Sequence, residues 1–234
     1  MPRTKRNDMV TRRDVHWRLS RLEAARLYLC SGLRRDRGDL AQFLEAVLAA
    51  GVDIVQLREK EAGRDQLRAA AVTFRDAAQR HGALFIVNDD PVLAADVDAD
   101  GVHVGQEDAP PDQARTVVGP GRLVGRSTHS VAEIDRALAE DCDYFAVGPV
   151  HATPTKAGRP PIGLEPVRYA ASVAGDRPWF VTGGMGPATV QTVLAAGGGR
   201  IVVVRALIEA HDPAAVASQL AVSLGASASA SRPG

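Results

Sequence analysis

From residue 27 onward, short continuous apolar runs alternate with longer stretches in which apolar positions recur every three or four residues. The runs predict strands over 27–30, 53–57, 84–87, 101–104, 123–126, 144–147, 179–181 and 201–204. The stretches between them predict helices, among them 40–50, 65–81, 131–139, 187–196 and 213–224. Ser130 stands before Val131-Ala132-Glu133, and Asp212 before Pro213, each an N-cap followed by a residue suited to the first turn. Strands without polar alternation, separated by helices, imply a parallel sheet covered on both faces. Eight such units favour a closed (β/α)8 TIM barrel over an open doubly wound sheet. The first strand is not followed by a Gly-x-Gly-x-x-Gly turn, which removes the main signal for a dinucleotide fold. The expected organisation is a basic, partly disordered extension over 1–26 that ends in a short helix, a barrel over 27–224, and a disordered Ala/Ser-rich tail over 225–234.

Composition narrows the function classes. The 234-residue chain has a formal net charge of zero, so nucleic acid is not an expected partner. That balance hides an asymmetry: residues 1–26 carry +5 and the remainder −5. The arm lacks both the apolar core of a secretory signal and the serine richness of a transit peptide. Cys30 and Cys142 have no metal-ligand spacing and read as buried small hydrophobes. No run of eighteen apolar residues is present, so no membrane span is expected. A cytoplasmic protein, compatible with a homo-oligomer, is the resulting expectation.

Lysine adds the first chemical clue. Only Lys5, Lys60 and Lys156 are lysines; the other basic residues are arginine. Lys60 and Lys156 both follow predicted strands, where a compact ammonium suits a phosphate ligand. In a barrel the segments after each strand crowd one rim, where barrel enzymes hold their chemistry. Three sub-sites emerge there. Arg58, Lys60 and Lys156 are cations for phosphate oxygens. Asp89 and Asp108, on neighbouring strands, have the chemistry to share one hard cation such as Mg²⁺. Gly183-Gly184 ahead of Pro187 matches the phosphate site that follows the seventh strand. Each has a plainer reading. Asp89 or Asp90 could cap the helix near Pro91, Asp108 the helix after Pro110-Pro111, and Gly183-Gly184 could be an ordinary turn. His103 could be packed in the barrel, and His129 could bond backbone.

Taken together, Gln56-Leu57-Arg58-Glu59-Lys60, Asn88-Asp89, the segment from Gly101 to Asp108, Ser127-Thr128-His129, and Gly148-Pro149 leading to Thr153-Pro154-Thr155-Lys156 resemble the thiamine-phosphate synthase family over residues 27–220. The resemblance implies a (β/α)8 barrel that joins hydroxymethylpyrimidine diphosphate to thiazole phosphate, two small phosphorylated substrates, and releases pyrophosphate with Mg²⁺ as cofactor. It assigns Gln56, Leu57, Arg58, Glu59, Lys60, Asn88 and Lys156 to the pyrimidine diphosphate, and Ser127 to the pyrimidine ring. It assigns Asp89 and Asp108 to Mg²⁺. Thr153, Pro154, Thr155, Gly184 and the backbone at Val204-Arg205 are assigned to the thiazole phosphate. The residues expected to act in catalysis are Arg58, Lys60, Ser127 and Lys156. Three positions depart from the family pattern: Arg126 before Ser127, Met185 after the glycine pair, and Arg205 at the second phosphate.

Three other readings compete. A thiazole tautomerase would use a histidine such as His129 and need neither metal nor diphosphate clamp. A Schiff-base aldolase would need Lys156 desolvated, which its polar Thr-Pro-Thr setting opposes. A non-catalytic phosphate-ligand barrel would keep the same rim without turnover.

Overall fold

The computed structural model describes residues 13–152 and 160–230, with side chains to Gly225. Eight parallel strands close on themselves in chain order, each bonded to the next and the eighth to the first. The strands are β1 (Leu27–Ser31), β2 (Ile54–Leu57), β3 (Leu84–Asn88), β4 (Gly101–Val104), β5 (Leu123–Thr128), β6 (Tyr144–Val147), β7 (Trp179–Val181) and β8 (Ile201–Val203). The helices are α1 (Val15–Ala24), α2 (Leu40–Ala49), α3 (Arg64–His81), α4 (Pro91–Asp96), α5 (Pro111–Val118), α6 (Val131–Ala139), α7 (Glu165–Val173), α8 (Val190–Ala195), α9 (Arg205–Ile208) and α10 (Pro213–Ala230). The barrel read from the pattern is therefore the observed fold, with strand limits that differ by two residues at most.

Alternation along each strand divides the core in two. Outward residues such as Val55, Leu57, Phe85, Val102, Phe145 and Val181 pack against the helices. Inward residues form a smaller cluster of Tyr28, Ile54, Leu84, Ile86, Leu123, Tyr144 and Phe180. Tyr28 and Tyr144 each meet Phe180 edge-on, at 5.4 and 5.7 Å between ring centres, the packing that ring quadrupoles favour. The barrel interior is filled by this aromatic layer, and a cavity that Tyr28 helps to line lies above it.

α1 closes the opposite end. Its Leu22, with Ala25 just beyond, joins the inner cluster. Arg13 and Arg18 both pair with the Asp100 carboxylate, which is only 2% exposed. Arg13 also donates to the carbonyls of Ala78 and Ala83, and Asp100 accepts from the Phe85 N–H at 3.0 Å. The arm's basic residues nearest the barrel thus meet a buried acid at the foot of the strands. At the other terminus α10 continues to Ala230, six residues past the expected limit of the barrel at Leu224.

Local capping explains several helix starts. Asp90 accepts from Leu93 N–H at 2.8 Å, and Ser130 from Glu133 N–H at 3.2 Å. Asp212 accepts from Ala215 N–H at 2.9 Å. Asp108 caps no helix; its Oδ2 accepts from the Gly105 N–H at 2.7 Å, and Pro110 opens α5. This leaves Asp108 turned back toward the end of β4. Among the described residues no helix is long and apolar enough to cross a membrane.

Candidate active site

A cavity of about 480 Å³ opens at the C-terminal ends of the strands. Gln56, Arg58, Asn88, Ser127, Gly184 and Arg205, all expected at the site, line it, together with Val204. Strand parity accounts for this. Gln56 and Ser127 are polar positions that alternation turns inward, and they are 6% and 7% exposed. Leu57 follows Gln56 and so turns outward into the layer beneath the helices, and it does not line the cavity. Glu59 turns to the β1–α2 connection: its Oε2 lies 3.5 Å from Leu33 N, against Gly32. It braces that connection. Thr153, Pro154, Thr155 and Lys156 lie outside the described residues.

The rim carries an unusual pair of acids. Asp89 follows β3 with a left-handed backbone (φ 64°), and its N–H donates to the His103 carbonyl at 2.8 Å. A non-glycine residue in that region stores strain, a condition often found at functional sites. Burial and the Asp108 carboxylate beside it push Asp89 up to about 6, against the pull of Lys60 and Arg58. Two carboxylates brought together favour uptake of a proton or a cation, here even with Lys60 and Arg58 nearby. The donor set fits Mg²⁺: two carboxylates from the protein, with phosphate oxygens and water left to complete the shell. Among the described residues no cluster of three or more His, Cys, Asp or Glu could hold a metal by itself.

The opposite side of the cavity is built from backbone. Gly183 and Gly184 both have positive φ, at 98° and 69°. A Cβ on Gly183 would lie 2.4 Å from Pro149 Cα, so the turn needs glycine for space as well as for conformation. Thr189 Oγ1 donates to the Gly184 carbonyl at 2.9 Å and accepts from the Gly186 N–H at 3.0 Å, tying the turn to the residue before α8. Arg205, the first residue of α9, is exposed at the edge of this pocket, whereas Met185 is buried beneath it. Arg126 faces away from the cavity. It donates to the Gly105 carbonyl at 2.6 Å and pairs with Glu140 at 3.2 Å outside the barrel. The departure at Arg126 therefore fastens β5 to the end of α6 and the β4 loop. His129 bonds the Gly148 carbonyl through Nδ1 and donates its N–H to Glu133.

Comparison with known proteins agrees with this geometry. Residues 27–207 match the family model described as thiamine monophosphate synthase. The chain belongs to that family. It is 53% identical over 213 residues to the thiamine-phosphate synthase of Thermobifida fusca, covering 90% of this chain and 97% of the relative. It is 50% identical over 218 residues to that of Mycobacterium tuberculosis, covering 88% and 98%. The solved thiamine phosphate pyrophosphorylase of Pyrococcus furiosus superposes with a TM-score of 0.79 at 29% identity, over 89% of this chain and 98% of that one. Like other members of the thiamine monophosphate synthase family, the protein is an enzyme of the transferase class.

Residues that pattern reading missed form the floor of the cavity and the layer just beneath it, with Tyr28 and His103 in the lining. Tyr28 and Tyr144 come from β1 and β6, and His103, which had remained open between packing and chemistry, stands between Tyr144 and Ser127. A tyrosine inside an apolar strand reads as core, and nothing in spacing alone tells which hydroxyls meet. The available signal was rarity: the chain has three tyrosines, and two fall on inward strand positions.

Proposed function

We propose that the cavity joins hydroxymethylpyrimidine diphosphate to thiazole phosphate, giving thiamine phosphate and pyrophosphate by a dissociative displacement. The observation that carries the reading is the Asp89–Asp108 pair held near Lys60 and Arg58, the last of which also lines the polar-floored cavity. Mg²⁺ held by Asp89 and Asp108 would supply charge neutralisation for the diphosphate. Arg58 and Lys60 contribute fixed positive charge to the same group, and Lys156 is assigned there by the family resemblance. Gln56, Asn88 and Ser127 orient the pyrimidine, so that its methylene carbon faces the second substrate. The diphosphate takes the bonding electron pair as the C–O bond breaks. The aminopyrimidine delocalises the positive charge left on the methylene, and the thiazole nitrogen donates its lone pair to form the new C–N bond. No proton is removed from that nitrogen, which accords with a site rich in cations and, among the described residues, without a nucleophile–base pair. The Gly183-Gly184 turn, Val204 and Arg205 hold the thiazole phosphate, together with Thr153 and Thr155, and pay for much of the orientation in binding energy. We include the carboxylated thiazole phosphate as an alternative second substrate, because Arg205 adds a cation to the lining on that side.

The test is pyrophosphate release by the purified protein, with each substrate and Mg²⁺ omitted in turn. Release that requires all three is expected. Release from the pyrimidine diphosphate alone at the full rate, or release indifferent to metal, would overturn the reading.

A further inference from the structure

Four hydrogen bonds cross the interior of the barrel in series. Gln56 Nε2 donates to Tyr28 Oη at 2.9 Å, and Tyr28 Oη lies 3.1 Å from Tyr144 Oη. Tyr144 Oη is 3.3 Å from His103 Nδ1, and His103 Nε2 is 3.0 Å from Ser127 Oγ. Both ends of this chain line the cavity, while Tyr28 and Tyr144 are fully buried. Burial pushes both phenols up from their ordinary range, so each keeps its single proton.

Proton counting then sets a direction. Tyr28 oxygen receives the Gln56 N–H, so its own O–H is left for Tyr144. Tyr144 accepts that proton and gives its own to His103 Nδ1. A neutral imidazole with an accepting Nδ1 carries its proton on Nε2 and donates it to Ser127. Ser127 Oγ is thereby occupied as an acceptor, and its O–H remains for a ligand. At the other end, the Gln56 amide has committed one of its two N–H groups inward, which fixes the amide's orientation and so the side on which Oε1 accepts.

The backbone makes room for this arrangement at one position. A Cβ on Gly125 would lie 2.2 Å from Tyr144 Cζ and 2.5 Å from His103 Nδ1. Every other residue type would push apart the two rings that meet there. Phe180 fixes the tyrosine rings from below.

We propose that Tyr28, Tyr144 and His103 are positioning residues that form a one-way hydrogen-bond relay, fixing Gln56 as acceptor and Ser127 as donor toward the bound ring. The relay selects a ring that presents an amino N–H toward β2 and an unprotonated ring nitrogen toward β5. An oxo-pyrimidine reverses that pattern, because the amino donor becomes an acceptor and a ring nitrogen gains a proton. A site with buried polar groups rejects the mismatched ring, since each mismatch leaves a group unpaired. The relay's direction stands on the protein alone; its role in selection rests on the pyrimidine reading proposed above.

Two measurements test it. The first is the ¹⁵N spectrum of histidine-labelled, ligand-free protein, with the His103 signals assigned by difference from His103→Gln. The neutral Nε2–H tautomer is expected; an Nδ1–H tautomer or an imidazolium at neutral pH would overturn the direction. The second is calorimetric binding of the aminopyrimidine diphosphate, its oxo counterpart and inorganic pyrophosphate to the wild type, Tyr144→Phe and Tyr28→Phe. The wild type is expected to favour the amino ring by about a hundredfold, and either variant to lose about tenfold of that preference. Pyrophosphate binding should not change. An undiminished preference in a folded variant would overturn the relay's role in selection, and the second variant decides if the first does not fold. If the wild type binds pyrophosphate but neither ring adds affinity, the substrate reading and the selection role both fail. The tautomer would then stand or fall separately.

Discussion

The two ends of the barrel treat a carboxylate withdrawn from solvent in opposite ways, Asp100 being buried and Asp89 half-buried. At the foot, Asp100 is surrounded by partners: two guanidinium groups from the arm and the Phe85 N–H. At the rim, Asp89 faces another carboxylate, Asp108, and burial and that neighbour raise it to about 6. The foot is complete without a ligand, whereas at the rim the pull of Lys60 and Arg58 does not offset burial and the second carboxylate, and the pair still takes up a proton or a bound cation. Stability is concentrated where the charges are already paired. The function proposed above is assigned to the rim, where like charges meet.

The contrast breaks most sharply on Asp89→Ala. This change should lower kcat/KM about a thousandfold and abolish the response to Mg²⁺, through loss of charge stabilisation at the leaving group. The variant should unfold no earlier than the parent, because it relieves a like-charge contact. Steady-state kinetics with a Mg²⁺ series, paired with thermal denaturation, would check both halves. Retained metal dependence would put the cation elsewhere.

Asp100→Ala should do the reverse. Removing the shared acid leaves two half-buried arginines unpaired, at a cost of about 3 kcal/mol and a fall of roughly 6–12 °C in Tm. The kcat of the protein that remains folded should be close to the parent value. A large kcat loss with unchanged Tm would mean that the foot communicates with the rim.

The smallest effect sharpens the comparison through pH. The folded protein holds the Asp89 proton up to about 6, whereas an unfolded aspartate releases it near about 3.9. The folded state therefore binds more protons in that window, and the Asp89 contribution to stability falls as pH rises through it. After allowance for solvent screening, about 1 kcal/mol is expected, or roughly 2–4 °C in Tm between pH 5 and pH 7.5. The quantity to measure is the difference between metal-free wild type and Asp89→Asn, which removes the other titrating groups from the comparison. Saturating Mg²⁺ should erase it.

Much of this was legible in the sequence because it depends on short-range order. Apolar runs separated by helical periods were enough for eight strands and a closed barrel. Polar residues just after those strands marked Gln56, Arg58, Asn88, Asp89, Asp108, Ser127 and Gly184 without knowledge of any contact. Leu57 and Glu59 show the limit of such reading. They lie in the same motif, yet parity turns one under the helices and the other braces the β1–α2 connection. Arg126 looked like a change at the site until alternation placed it on the outer face of β5.

By itself, then, the sequence determined the number and kind of elements, the rim on which the chemistry gathers, and the sign of the charges there. These follow from periodicity and residue type, which act within a few positions along the chain. Only the tertiary structure decided which distant groups share a proton or a charge. Arg13 and Arg18 meet Asp100 across more than eighty positions, and Tyr28 meets Tyr144 across 116. Such pairings arise when the barrel closes and brings strands distant in the chain around one interior, where each polar group must find its partner or wait for a ligand.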